Sequence, residues 1–253
     1  MRLTILGSGT CAPSPHRTPA AYHLACGDAT FLVDPGPGAV HRALAAGVDP
    51  FAVDAIVITH HHLDHVGDLM YWFFVYKNCV PGPKKNVTLV APPGFSTPFL
   101  AMQAPFARWV TEPDGFAVEL FETGPGGSTV VAGVTIAAEA MNHGAGAVGY
   151  RFEHEGRGLA YSGDTGPCDE LISLARSADL LLCECSFPDG RGEETHMTPA
   201  DCAHAGRASG VRRMVLTHLS PDHAVDALPG IVRSHGYGGE IIVAEDGMTV
   251  DVG

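Results

Sequence analysis

Apolar residues in this chain fall into short runs broken by Gly, Pro, Asp and Asn. Runs at 2–6, 20–26, 29–33, 54–58, 87–90, 116–121, 129–131, 134–140, 147–153, 158–161, 179–183, 213–217, 240–243 and 248–251 read as β-strands. Helical candidates lie between some of them, at 38–46, 66–77, 95–108, 167–177, 199–209 and 223–235. The early strands follow one another through Gly and Asp turns, which predicts hairpins; later the order becomes strand–helix–strand. An α/β (α+β) arrangement of mixed sheets covered by helices fits this order. No linker or low-complexity stretch divides the chain, so 1–253 reads as a single domain. Pro81-Gly82-Pro83 and Gly124-Pro125-Gly126-Gly127 are short enough to be turns.

One segment echoes another. Residues 56–68 read IVITHHHLDHVGD and residues 214–226 read MVLTHLSPDHAVD, with Thr, His, Asp, His and Asp at a constant offset. Each is an apolar strand, a polar loop and a helix start. The echo fits a duplicated half that delivers ligands from a strand end; the alternative is chance within a shared strand–loop–helix form.

Composition narrows the class. The 253 residues are 45% hydrophobic and 17% charged, a globular balance with ample length for a core. The formal charge is −13, which disfavours general binding to polyphosphates. Seven cysteines form no CxxC pair and read as reduced, buried thiols of a cytoplasmic protein. The apolar stretch Leu3–Leu6 is too short for a signal-peptide core, and Leu69–Tyr76 is too short to span a membrane, so a soluble, cytoplasmic protein is expected.

The densest chemistry is His60-His61-His62-Leu63-Asp64-His65, directly after the apolar strand Ala55–Ile58. Residues at i and i+2 of an extended segment point the same way, so His60 and His62 can grip one metal while His61 points elsewhere. The turn into the following helix can bring Asp64 and His65 to a second metal. Imidazole with carboxylate suits zinc, and also Mn, Fe or Co. Three further loops offer ligands just past strands: Asn142-His143-Gly144, Ser162-Gly163-Asp164-Thr165 and Thr217-His218-Leu219. Singly each is weak, since Gly-Asp-Thr is also a common turn or helix entry; as a set they point to a binuclear site.

HxHxDH at 60–65, followed by His143, Asp164 and His218, resembles the ligand series of the metallo-β-lactamase superfamily. Leu6-Gly7-Ser8-Gly9-Thr10, Val33-Asp34-Pro35-Gly36, Tyr161-Ser162-Gly163-Asp164-Thr165 and Leu216-Thr217-His218-Leu219-Ser220-Pro221 are most similar to its ribonuclease Z and phosphodiesterase branch. The resemblance implies an αββα sandwich of two mixed sheets with metals at one edge. It implies that His60, His62 and His143 hold one ion, that Asp64, His65 and His218 hold the other, and that Asp164 bridges them. Two divalent ions are expected, Zn2+ first, with Mn2+ or Fe2+ as alternatives, and a homodimer is suggested. Two departures stand out. His143 and Asp164 are only 21 residues apart, which leaves room for a hairpin but not for the tRNA-gripping arm of ribonuclease Z. Asp222-His223 imitates Asp64-His65, yet the family pattern uses neither as a ligand.

The expected activity is hydrolysis of a small phosphodiester, such as a cyclic nucleotide or short oligonucleotide, by a hydroxide shared between two metals. The absence of the arm argues against long or structured nucleic acid. Asp64 would orient the nucleophile. His196 would be the general acid: it precedes a helix start with Thr198 as cap and Pro199 at the first position, and His196-Met197-Thr198-Pro199 resembles the His-Ser-Thr-Ala segment of ribonuclease Z. Thioester or lactone hydrolysis on the same metals, and a non-catalytic metal-binding protein, are the competing readings. Lys84-Lys85 reads as a solvated tip or as an anion contact, Glu184 as a support for the site, and Trp72, Phe73 and Phe74 as packing against the sheet, with one of them a candidate pocket wall. His16, His23, His41, His154, His204 and His235 lack ligand spacing.

Overall fold

The computed structural model describes all residues except 107–109, 111–115, 145 and 192. Each expected strand is present. The first sheet contains β1 (Arg2–Gly7), β2 (Ala21–Cys26), β3 (Ala29–Val33), β4 (Ala55–Val57), β5 (Val87–Ala91) and β6 (Val118–Glu122), with β14 (Thr249–Asp251) at its edge in the order β14-β1-β2-β3-β4-β5-β6. The second contains β7 (Ser128–Val131), β8 (Val134–Ala140), β9 (Val148–His154), β10 (Arg157–Tyr161), β11 (Leu180–Glu184), β12 (Arg213–Thr217) and β13 (Glu240–Val243), in the order β13-β12-β11-β10-β9-β8-β7.

Alternation along the strands builds three apolar layers. Tyr22, Leu24, Phe31 and Val57 of the first sheet meet Tyr150, Phe152, Leu159 and Leu182 of the second in one buried core between the sheets. The intervening residues face outward. Leu32 and Ile56 pack under α1 (Ala39–Ala45) and α3 (Leu69–Asn78); Leu181 and Cys183 pack under α5 (Asp169–Ala175) and α6 (Pro199–Ser209). Strands covered on both faces read as continuous apolar runs, which is why 179–183 and 55–58 carry almost no polar residue. The result is the αββα sandwich.

Strand direction positions the site. β10, β11, β12 and β13 run parallel, and β8 is antiparallel to β9, which is antiparallel to β10. The C-terminal ends of β8, β10, β11 and β12 therefore share one edge. In the other sheet β3, β4, β5 and β6 are parallel, so their ends also gather.

Helix bounds differ from expectation in three places. The expected helix 66–77 is two: α2 (Leu63–Val66), one turn carrying Asp64 and His65, and α3, which follows after Gly67 and Asp68. The expected helix 95–108 is α4 (Ser96–Gln103) followed by a turn, and its last two positions lie outside the described residues. The expected helix 223–235 begins only after a short 3₁₀ turn, as α7 (Leu228–Ser234), where Pro229 suits the first turn because it has no N–H to satisfy. The hairpin expected between His143 and Asp164 is β9–β10, closed by Glu155 and Gly156 at φ 48° and 75°. Among the described residues no helix is long and apolar enough to cross a membrane.

Candidate metal centre

Loops from five strand ends bring the ligand-type residues together: His60 after β4, His143 after β8, Asp164 after β10, Glu184 at the end of β11 and His218 after β12. Close approach sets the backbone here. Gly163 has φ 58°, and a Cβ at this position would stand 2.9 Å from Thr59 Cβ, so only glycine lets the Asp164 loop lie against the His60 loop. His218 and Asp34 also hold positive φ, 55° and 45°, although neither is glycine.

Two sets of side chains converge. His60, His62, His143 and Asp164 form one; Asp64, His65, Asp164 and His218 form the other. Asp164 belongs to both and divides its oxygens between them. Its Oδ2 lies 3.7 Å from His60 Nε2 and 3.7 Å from His143 Nε2. Its Oδ1 lies 3.3 Å from His65 Nε2 and 3.5 Å from His218. Asp64 Oδ2 is 3.4 Å from His218 Nε2 and 3.9 Å from His65 Nε2. His60, His65, His143, Asp164 and His218 are buried, Asp64 is half-buried and His62 exposed, so the cluster opens to solvent along the His62–Asp64 loop.

These residues fit divalent ions. His60 Nε2, His65 Nε2 and Asp164 Oδ1 are buried with no hydrogen-bond partner among the described residues. Leaving three such atoms orphaned would cost several kcal/mol, on the order of 1–3 kcal/mol each. Two ligands about 2.0–2.2 Å from one tetrahedral zinc stand roughly 3.3–3.6 Å apart, close to the separations around Asp164. Burial first, then neighbouring imidazoles, hold His60 well below and His62 below the ordinary imidazole range, which leaves lone pairs free. For Asp164 burial favours the neutral acid, but His218 and His65 outweigh it and hold the carboxyl well below its usual range. His65 is pushed well above its usual value; burial opposes this, and Asp164 and Asp34 prevail. A cation at Nε2 would take the place of that proton.

Asp34 orients the second set. Its Oδ2 accepts from His65 Nδ1 (2.9 Å), Tyr161 Oη (2.8 Å) and Thr59 Oγ1 (2.7 Å), and its Oδ1 accepts from Thr59 N–H (2.8 Å). His65 therefore presents Nε2 to the centre. Tyr22 Oη, 2.9 Å from Thr217 Oγ1, packs edge-on against Tyr161 and ties the His218 loop to the same buried network.

His196 lies in the loop just before α6. The capping box forms: Thr198 Oγ1 accepts from Asp201 N–H, and Asp201 Oδ2 accepts from Thr198 N–H. The imidazole lies edge-on to His143 (centroids 4.7 Å) and stacks towards His218 (6.0 Å, 16°). Its Nδ1 is 2.9 Å from Oε1 of the fully buried Glu184. Glu184 also accepts from the N–H groups of Thr165, Ser186 and Met197, which fixes it rigidly. Burial lowers the His196 pKa, but the hydrogen bond and charge of Glu184 outweigh this and raise it. With Nδ1 engaged, Nε2 is the nitrogen able to present a proton. Glu184, His196 and His218 are themselves close enough to hold an ion, but the first two already satisfy each other.

Other candidates lie elsewhere. His223 Nε2 donates to Cys185 C=O at 2.8 Å, and Asp222 pairs with Arg191, so the echo does not extend to a second Asp-His ligand pair. His61 is exposed beside the cluster. Lys84 donates to Val80 C=O and lies over the Tyr76 ring. Lys84 and Lys85 precede β5, at the edge opposite the metal centre, because β5 runs parallel to β4. Trp72 and Phe73 are buried and Phe74 is exposed. Sequence reasoning assigned no role to Asp34 and left that of Glu184 open. Each is a carboxylate at the end of a buried strand, the same placement as the candidate ligands, and that is the signal that could have found them.

Residues 29–219 match the β-lactamase superfamily domain. The chain is 31% identical to ribonuclease Z of Mycobacterium sp. (strain KMS) over 247 residues, covering 87% of this chain and 85% of the relative. The fold is similar to the metallo-β-lactamase fold protein YhfI from Bacillus subtilis (TM-score 0.85, 21% identity, 99% of each chain). It is also similar to human tRNase Z, short form (TM-score 0.81, 22% identity, 100% of each chain). With the domain match spanning most of the chain and the His/Asp cluster at the expected edge, this chain belongs to the β-lactamase superfamily, resembling its ribonuclease Z branch, and is a metal-dependent hydrolase.

Proposed function

We propose that the chain is a phosphodiesterase working with two zinc ions on small diesters in the cytoplasm. The observation that carries this is the division of Asp164, with Oδ2 towards His60 and His143 and Oδ1 towards His65 and His218. In this reading His60, His62 and His143 hold one ion, Asp64, His65 and His218 the other, and Asp164 bridges. Bound ions would supply charge neutralisation at the phosphoryl oxygens and a water acidic enough to attack near neutral pH. Asp64, half-buried with Oδ2 3.4 Å from His218 Nε2, would hold the second ion through that oxygen and orient the attacking water with the other. His196, held by Glu184, gives its Nε2 proton to the departing oxygen. The short β9–β10 hairpin supplies no long arm, and the net charge of −13 opposes extended polyanions, so a compact substrate is favoured.

The test is a screen of metal-loaded protein against cyclic and linear phosphodiesters, with thioesters and lactones alongside. Chelator-sensitive turnover of phosphodiesters is expected. Turnover confined to thioesters or lactones would replace the proposed substrate class, and a metal-loaded protein inert on every ester would remove the proposal.

A further inference from the structure

Beside the metal centre lies a cavity of about 230 Å³ that none of the proposed ligands lines. Its walls include His61, Pro93, Phe95, Thr97, Ala101 and Gly146. Three of these are tied to the site through the chain. His61 stands between His60 and His62, Pro93 follows the end of β5 next to β4, and Gly146 belongs to the loop that carries His143. The cavity therefore opens on the His60–His62–His143 side.

Four imidazoles run across the centre. Successive ring centroids are 6.2 Å apart for His61–His62, 4.9 Å for His62–His143 and 4.7 Å for His143–His196. The cavity borders the His61 member of this set, and His196 adjoins the His143 member. A phosphate at the metal centre could turn its departing oxygen to His196 and its retained substituent to the cavity.

The lining says what that substituent is. Apart from His61 it holds no ionisable side chain, so a second phosphate or a carboxylate finds no partner there. Proline rings offer apolar faces, and the His61 imidazole offers a flat aromatic one. The exposed His61 ring, its centroid 6.2 Å from that of His62, and the Thr97 hydroxyl make no hydrogen bond among the described residues, so both are free to meet a polar ring edge. Flat faces with two hydrogen-bonding groups suit a heteroaromatic ring better than an alkyl chain. The volume lies below the roughly 300–1,000 Å³ of drug-sized pockets, which suits one base. We propose that this cavity is a nucleobase subsite and that His61 and Thr97 read the base, making the natural substrate a small nucleotide diester. The inference rests on the phosphodiesterase reading, which places the phosphate at the metals.

Calorimetric titration of the metal-loaded protein with adenosine 5′-monophosphate and ribose 5-phosphate isolates the base, because both carry the same phosphate. The nucleotide should bind about tenfold more tightly, within the range for one stacked base. His61→Ala removes the imidazole, and Ala101→Trp fills the cavity from the exposed face of α4. Each should abolish most of that preference while ribose 5-phosphate affinity and metal content stay unchanged. Equal binding of the two ligands, or a preference that survives both variants, would overturn the subsite. If phosphodiesters are hydrolysed without a base preference, the subsite falls and the activity stands. A variant-sensitive base preference without phosphodiester turnover would keep the subsite and discard the activity.

Discussion

Glu184 Oε1 lies 2.9 Å from His196 Nδ1, a carboxylate at the end of a central strand gripping an imidazole in the loop before α6. This contact fixes which nitrogen faces the metal centre and favours the protonated ring. His196→Ala should slow nucleotide and alkyl diesters by about 10²–10⁴. It should spare nitrophenyl diesters comparatively, since a nitrophenolate leaves largely unaided, and both metals should stay bound. Equal losses on the two substrate types with metals intact would take His196 out of the acid role.

Glu184→Gln should reproduce the same dependence on leaving group in weaker form, because an amide neither orients nor charges the imidazole as well. In the double variant with His196→Ala the effects should not add, since the carboxylate acts through the ring. Additive losses in steady-state rates would mean that Glu184 serves the site by another route.

Asp164→Asn should weaken metal binding more than any other single ligand change, because a neutral amide bridges two cations poorly. Elemental analysis of the purified variant reads this directly. An unchanged pair of ions would count against the bridging role.

Asp34 belongs to neither set of ligand-type residues, yet its Oδ2 sets the tautomer of His65. Asp34→Asn should cost about 10–100-fold in affinity at the His65 set, the usual size of such an effect. Chelator competition on the folded variant should reveal one weakened and one near-normal ion. Equal weakening of both would indicate general unfolding of the edge.

His223→Ala should leave metal content near normal and lower stability by about 1 kcal/mol, the net worth of its hydrogen bond to Cys185 C=O. Loss of a full metal equivalent would mean that the internal echo feeds the site directly. Thermal unfolding and elemental analysis together separate the two.

Much of this site is legible in the chain because its logic is local. A ligand just past a buried strand needs only the strand's apolar run and the residue types after it, and both lie within a few positions. HxHxDH after Ala55–Val57, His143 after β8, Asp164 after β10 and His218 after β12 all have this form, and the fourteen strands among the described residues follow from the same periodicity. The Thr198–Asp201 capping box is local too.

The features settled only by tertiary structure depend on partners far apart in sequence. Asp34 gains its role from Thr59, His65 and Tyr161, and Glu184 from Thr165 and His196, through hydrogen bonds that cross between strands or loops. The expected helix 66–77 divides at Gly67–Asp68, where Asp68 N–H donates to Pro35 C=O and its carboxylate accepts from the N–H groups of Gly38 and Val40, partners far away in sequence. The echo at 214–226 repeats the residue types of 56–68, and only packing decides that His223 meets the Cys185 carbonyl. The sequence alone determined which residue types stand at strand ends; the packing of two sheets decided which of them meet, because a side chain's partner is set by the fold's geometry and not by its neighbours in the chain.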